Sequence, residues 1–535
     1  MQPALPFPFD LEQRDVQGFT PFSGMNFGLS GPLVTPYTDH PIGYPTPDTG
    51  ADGMLIDETF QNQQDILINF ELPDDELLIE LVRLFFEHLY QKFPCFHKQS
   101  FLRNVENGQL QKEAPLVLYA MCCITSRHHP DIAVRKRQSD WYDQAKLSYD
   151  LTRRFPEQAL RTMQAVIILI YHAFTVGDFS SSWLSLGKSW RQAVALGMNR
   201  MDADHVAPKP RHDSAQHPEE VLGLEMSRGR TSVEREEYRR TLWILFMMDR
   251  SHAWPTGWPN AILDIQFKVD LPIADTLFQA MDPDLETSPY TNTPFTRNLN
   301  RLINSLSHAK EPVNFFHYIS VAHVLLGRIS ELIHSLHDNP GTQEYAEECR
   351  ELDSYIVKFR LSLPRQATSV MEAPPEERGN VVWLNVTLNI LVMLLHYRCG
   401  EDALELSLVV AAARNTAQIV KDAARFSIDL VLSAHFGASL YIAAAILVIQ
   451  SRLTGDEESF KEDIDILGLV FERMSEIYVF SGLKFKLALE HDQTRSLEEI
   501  RNLNERGFRG LLADCTKWGF VKDEVVRRGL FIDIT

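Results

Sequence analysis

The stretch Glu234–Ile262, EREEYRRTLWILFMMDRSHAWPTGWPNAI, decides how this chain is read. It begins with interleaved acids and bases, passes into an apolar run, and returns to the adjacent pair Asp249-Arg250. Leu242, Leu245, Phe246 and that pair recur at three- and four-residue spacing, which suits a packed helix with a charged pair near its end. The acid–base spacing at its start supports i,i+4 pairing. Pro255, Gly257 and Pro259 are expected to stop the helix and force a shaped loop, because proline lacks the amide proton that a helix interior needs.

Outward from that stretch the chain reads as one helix after another. A helical domain begins near Pro73, with Asp74, Asp75 and Glu76 placed for a first turn, and LLIELVRLFFEHLYQKF runs on to Pro94. QALRTMQAVIILIYHAF, a turn at Gly177-Asp178, and SSWLSLGKSWRQAVALGMNR form a pair of segments. Trp183, Leu186 or Gly187, Trp190 and Val194 fall on one side of the second, while Gly187, Ala193 and Gly197 permit close helix approach. Downstream, FFHYISVAHVLLGRISELIHSL, WLNVTLNILVMLLHYRCG and DLVLSAHFGASLYIAAAILVIQSRL continue the pattern without an internal repeat period. The expectation is an all-α domain over 71–490, with loops near 202–232, 280–298 and 364–379 and a helical extension over 491–535. Residues 1–70 are rich in Pro, Gly and isolated aromatics, and read as a disordered acidic segment, either a solubilising tail or a partner-binding one.

Composition narrows the function classes. The 535 residues carry a net charge of -20, which opposes the cation-driven term in nucleic-acid binding. Arg135, Lys136 and Arg137 are a dense basic triplet, best read as a solvated helix face or a weak nuclear targeting patch. Cys95, Cys122, Cys123, Cys349, Cys399 and Cys515 are scattered with no CxxC pair, and His88, His97 and the His128-His129 pair lack matching local ligands, so no metal or cofactor is expected. No uninterrupted apolar run reaches bilayer length, and no membrane partner is expected. HExxH, P-loop, GxSxG, dinucleotide-fingerprint and kinase signatures are absent, which argues against an enzyme. Glu236 and Glu237 are successive on a helix and do not converge as opposed catalytic carboxylates.

Three motifs in order carry a family resemblance. FPCFHKQSF after an aromatic-rich helix, the tryptophan-to-LGMNR segment, and REEYRRTLWILFMMDR with TGWPNAI together resemble the regulatory domain, or middle homology region, of fungal zinc-cluster transcription factors. The likeness covers about residues 75–450. It implies an all-α regulatory domain in a nuclear protein, with an interior able to accommodate a small effector. Arg191, Arg200, Arg239, Arg240, Asp249 and Arg250 become structural or signalling candidates, joined in an internal network of guanidiniums with carboxylates or helix-end carbonyls. Trp258 stands where such proteins usually carry arginine.

A binuclear cluster needs six thiolates within a few tens of residues, which the six scattered cysteines do not supply. The chain is therefore expected to regulate a fungal pathway, secondary metabolism by resemblance alone, through a DNA-bound partner or coregulator and without autonomous sequence-specific DNA binding. A titrating pseudo-regulator and a gene product with a lost first segment remain open beside it. The rival class is a helical scaffold or small-molecule-binding module with no transcriptional task.

Overall fold

Helix α1 (Asp75–His88) starts where the acids predict: the Asp74 side chain accepts from the Leu77 amide at 2.9 Å, and Asp75 and Glu76 fill the first turn. The chain, a computed structural model describing residues 71–152, 158–203, 231–306, 312–337, 341–397, 403–508, 510–511 and 527, then makes a 3-10 turn at Tyr90–Lys92. The expectations for residues 1–70 and for most of the 202–232 loop lie outside the described residues.

After α2 (Lys98–Glu106), α3 (Pro115–Thr125) carries proline at its first position, where no amide proton is required. It packs between α4 (Gln138–Asp150), α1 and α5 (Ala159–Thr175). Asp178 caps α6 (Phe179–Ala195) by accepting from the Ser181 amide at 3.1 Å, closing a hairpin with α5. Gly187 contacts no neighbouring helix, since a side chain there would meet only Arg191, and Val194 is exposed. Leu186, Trp190 and Ala193 form the buried side instead.

Helix α7 (Ser232–Thr256) is the axis of the domain, capped by Thr231 accepting from Glu234 at 3.2 Å. Of its 25 residues 20 are buried, so it is enclosed on all sides rather than amphipathic. The run LWILFMM at 242–248 is apolar all round, and the polar residues flanking it find partners inside. Pro255 does not stop this helix. It lies in the last turn, where few bonds remain to be lost; Thr256 Oγ1 donates to the His252 carbonyl at 2.8 Å, and the helix ends at Gly257, φ 71°.

α7 packs against α5, α6 and α8 (Phe315–Ile333). Beyond α9 (Gln343–Ser362), α8 is covered by α10 (Arg378–His396), which packs on α11 (Ala403–Ala424). α11 meets α12 (Gly437–Thr454), and α12 is held by α13 (Glu457–Ile477), α14 (Val479–Thr494) and α15 (Leu497–Glu505). One hydrophobic core extends from Leu78 to Leu511. The 280–298 loop is irregular but for an isolated antiparallel bridge, Leu271 with Thr293, and the 364–379 segment holds a four-residue helix at Arg365–Thr368 and a 3-10 turn at Pro375–Glu377 before α10 begins at Arg378. Position 490 falls within α14.

Two described helical segments, Pro375–His396 and Ala434–Thr454, are long and apolar enough to cross a bilayer by length and composition, which corrects the expectation. Uncharged Asn385, Thr387 and Asn389 break the first into shorter apolar runs, and the second contains the run Leu440–Ile449. Both are mostly buried, 72% and 78% of the apolar window, as core helices of a bundle are.

Two glycines of the α13–α14 hairpin should respond to alanine with opposite sign. A Cβ at Gly482 would lie 2.2 Å from the Ser475 backbone nitrogen, so Gly482→Ala should destabilise by about 1–3 kcal/mol through overpacking. At Gly468 the nearest atom is Leu489 Cδ2 at 3.8 Å, so Gly468→Ala should stabilise by about 0.5–1 kcal/mol through helix propensity. Urea midpoints of both variants check this; equal midpoints would contradict the close crossing.

Candidate functional site

The charged ends of α7 organise two buried networks. At the first, Arg240 is fully buried and donates from Nε to Glu236 Oε1 at 3.2 Å, from Nη1 to the Pro94 carbonyl and Asp275 Oδ1, both at 2.8 Å, and from Nη2 to the Ile273 carbonyl at 2.7 Å. Phe278 stacks on its guanidinium at 4.1 Å. Glu236 also accepts the Ile273 amide at 2.9 Å and Asn292 at 3.0 Å. Arg239 grips Asp202 bidentately, at 2.6 and 2.9 Å, and Asp202 accepts the Asp270 amide at 2.8 Å. Glu237 points elsewhere, to the His97 amide at 2.8 Å and Arg161 at 3.1 Å. The adjacent glutamates thus diverge, as helix geometry requires.

At the second network, Asp249 Oδ1 accepts the Ala261 amide at 2.9 Å and Oδ2 the Ile262 amide at 3.0 Å, so the carboxylate folds the loop back over the helix that ends at Gly257. Arg250 donates to Asp249 at 2.5 Å and to Asp264 at 2.9 Å, and Arg328 of α8 donates to the other Asp264 oxygen at 2.8 Å. Both partners of the Asp249–Arg250 pair are 1% exposed, so every polar contact there is made away from water.

Four of the seven candidates, Arg239, Arg240, Asp249 and Arg250, lie in these networks. Arg191 is exposed and reaches only its own helix, the Gly187 carbonyl at 3.4 Å. Arg200 is exposed at the end of a 3-10 turn. Trp258 is half-buried against Trp183 of α6, ring centroids 5.0 Å apart, outside both networks. Their motif positions specify surface and helix contacts, which sequence spacing alone does not separate from an internal network.

A cavity of about 330 Å³ opens where the end of α1, the middle of α7, the start of α10, the 429–436 segment and the α13–α14 junction meet. Met247, Met248, Trp383 and Phe436 give it apolar walls. At its polar end Lys92 Nζ donates to Tyr478 Oη at 2.8 Å, and the Tyr478 and Tyr171 hydroxyls are 3.1 Å apart. Burial opposes the Lys92 ammonium; its pKa is raised chiefly by attraction to Tyr171 and Tyr478, which they exert in full only as phenolates, and burial pushes Tyr171 up, away from that form. Burial likewise opposes a Tyr478 phenolate, but Lys92 and Arg127 outweigh it and draw that phenol down. Burial, helped by Arg127, His88 and Lys92, pushes the cavity-lining His128 down to about 3. Sequence reading passed over Lys92, whose only local signal is a lone cation among the buried aromatics of Tyr90–Phe96.

Among the described residues no group of His, Cys, Asp and Glu could hold a metal ion. His97 stands just before α2 without a capping bond from its side chain and bonds Ser100 at 2.7 Å, and His88 stacks on His128 at 4.9 Å. Cys95, Cys122 and Cys123 are buried free thiols, burial pushing Cys122 up to about 12, and Cys349 is buried; Cys399 and Cys515 lie outside the described residues.

The chain is 25% identical over 329 residues to the Zn(2)-C6 fungal-type transcription factor FTF1a of Fusarium oxysporum f. sp. lycopersici, covering 59% of this chain and 28% of that protein. An uncharacterized transcriptional regulatory protein of Schizosaccharomyces pombe is 28% identical over 39% of this chain and 20% of its own length. The citrinin biosynthesis transcriptional activator mrl3 of Monascus ruber is 21% identical over 42% of this chain and 43% of its own. The chain thus spans less than half the length of each of these relatives. No solved structure matches it. Residues 82–356, just over half of the chain and including α7 with both of its networks, match the fungal specific transcription factor domain, and the chain belongs to that family.

Proposed function

We propose that this regulatory protein controls a fungal pathway of secondary metabolism from the nucleus, acting through its helical domain on a DNA-bound partner protein. The family and the relatives make it a transcriptional regulator and not an enzyme. The observation that carries the finer reading is the likeness to the citrinin biosynthesis transcriptional activator of Monascus ruber. A net charge of -20 supports a partner as the DNA-contacting element, since phosphate binding rests on cations. The buried networks supply a rigid body: Arg240 joins α7 to the Pro94 carbonyl and to the loop at Ile273, so a displacement at one is felt at the other.

The test is to fuse the whole chain to a heterologous DNA-binding domain over a reporter and to follow a fluorescently tagged chain in fungal cells. The expected result is a several-fold reporter change and nuclear signal. An unchanged reporter with nuclear exclusion would point to a scaffold instead. Selection of one short duplex by the purified chain would remove the need for a partner.

A further inference from the structure

The cavity contains a cation, Lys92, that meets a phenol rather than a carboxylate. Lys92 Nζ finds a phenol, Tyr478 Oη at 2.8 Å, and the Tyr171 and Tyr478 rings at 5.8 and 5.3 Å. No carboxylate among the described residues pairs with it. Arg127 approaches the same Tyr478 ring at 5.1 Å, and its Nη2 meets only Thr175 and His172, both at 3.4 Å. Its buried Nε has no partner. Two cations therefore converge on one phenol, which screens them far less well than a carboxylate would. Two further ring nitrogens, His128 Nε2 and His435 Nδ1, are buried without a partner on side chains that line the cavity.

Such an arrangement is incomplete in a defined way: it lacks an acceptor carrying negative charge. From this we propose that the cavity binds a small amphipathic organic acid, its carboxylate on Lys92 with Tyr478 and its apolar body between Trp383 and the methionines of α7. The histidine nitrogens then offer hydrogen bonds to oxygens along that body. Glu87 and Asp429, exposed lining residues, repel polyanions, so a singly charged acid is favoured over nucleotides or other phosphate-rich ligands. The volume, about 330 Å³, lies within the range of small-molecule pockets. Occupancy would tie α7 to the turn after α1 and the α13–α14 junction, which Lys92 and Tyr478 already join at 2.8 Å. The proposal deepens the regulatory reading by naming the effector's chemistry, yet it can fail separately from it.

Calorimetric titration of the full chain with octanoate, dodecanoate and 2-naphthoate, each beside its methyl ester, tests this. At least one acid should saturate a single site about tenfold or more tighter than its ester, the scale of one charge-assisted contact. Lys92→Met should abolish that preference and leave the ester's affinity in place, and Lys92→Arg should keep it. Acids and esters binding alike to the wild-type chain, or none of the six saturating, would overturn the proposal, and this comparison needs no variant to fold. If Lys92→Met folds and still prefers the acid, Lys92 is not the counter-ion and the proposal is also overturned. Acid binding with an inert tethered reporter would retain the site and sink the regulatory reading; an active reporter without acid binding would do the reverse.

Discussion

Asp249→Ala should lower the unfolding free energy by about 3–5 kcal/mol, because it leaves the Arg250 cation buried with one of its two carboxylates gone. It also orphans the Ala261 and Ile262 amides, which have no other acceptor among the bonds described for that loop. Asp249→Asn should do less damage, since the amide oxygen can still accept one of those bonds. Arg191→Ala and Arg200→Ala, both at exposed positions, should stay within about 0.5 kcal/mol of the wild-type chain. Urea unfolding followed by circular dichroism compares the four. If Asp249→Ala unfolds at the wild-type midpoint, the pair holds nothing together and the network around α7 has been misjudged.

The second large effect is acid lability. His172, His252, His317 and His323 are each at most 4% exposed. Burial pushes His252, His317 and His323 down to about 4, and burial together with Arg127 pushes His172 down to about 3. The unfolded chain takes up a proton at each near pH 6.5, while the native chain does not until far lower. The unfolded state therefore binds more protons through this window, and stability falls as pH falls from about 6.5 towards the native values. At pH 5 each histidine withdraws about 2 kcal/mol, and four together reach the order of a whole domain's stability. The fluorescence-detected melting temperature should drop steeply between pH 6.5 and 5. His317 is the cleanest probe, since burial is the sole cause of its shift and its Nε2 has no partner. His317→Leu should move the acid midpoint to lower pH. A flat melting temperature down to pH 4 would mean these imidazoles are already protonated in the folded chain.

Much of the helical architecture is written locally, in signals that act within one or two turns. Asp74 ahead of Asp75-Glu76, the Gly177-Asp178 turn, and the irregular stretch 280–298 each specify their own geometry. Pro255 misleads because the rule about proline concerns helix interiors, and its position in the last turn depends on where Gly257 ends the helix. The candidate arginines divide for a similar reason. Arg239 and Arg240 sit on a helix enclosed by its neighbours, whereas Arg191 and Arg200 sit on a helix face and a turn left open. Whether a guanidinium is buried is settled by what packs over it, and that information is elsewhere in the chain. The cavity is the extreme case. Lys92 and Tyr478 are 386 positions apart, and neither segment hints at the other.

The packing of α8 against α10 bears on how this protein can be divided for laboratory work. A fragment ending at residue 356, where the family likeness stops, would cut through α9 and discard the helix that covers α8. It would bare the face of α8 that α10 covers and remove the Trp383 and Tyr478 sides of the cavity. Such a piece should aggregate on expression, so the useful unit for biochemistry extends past α15.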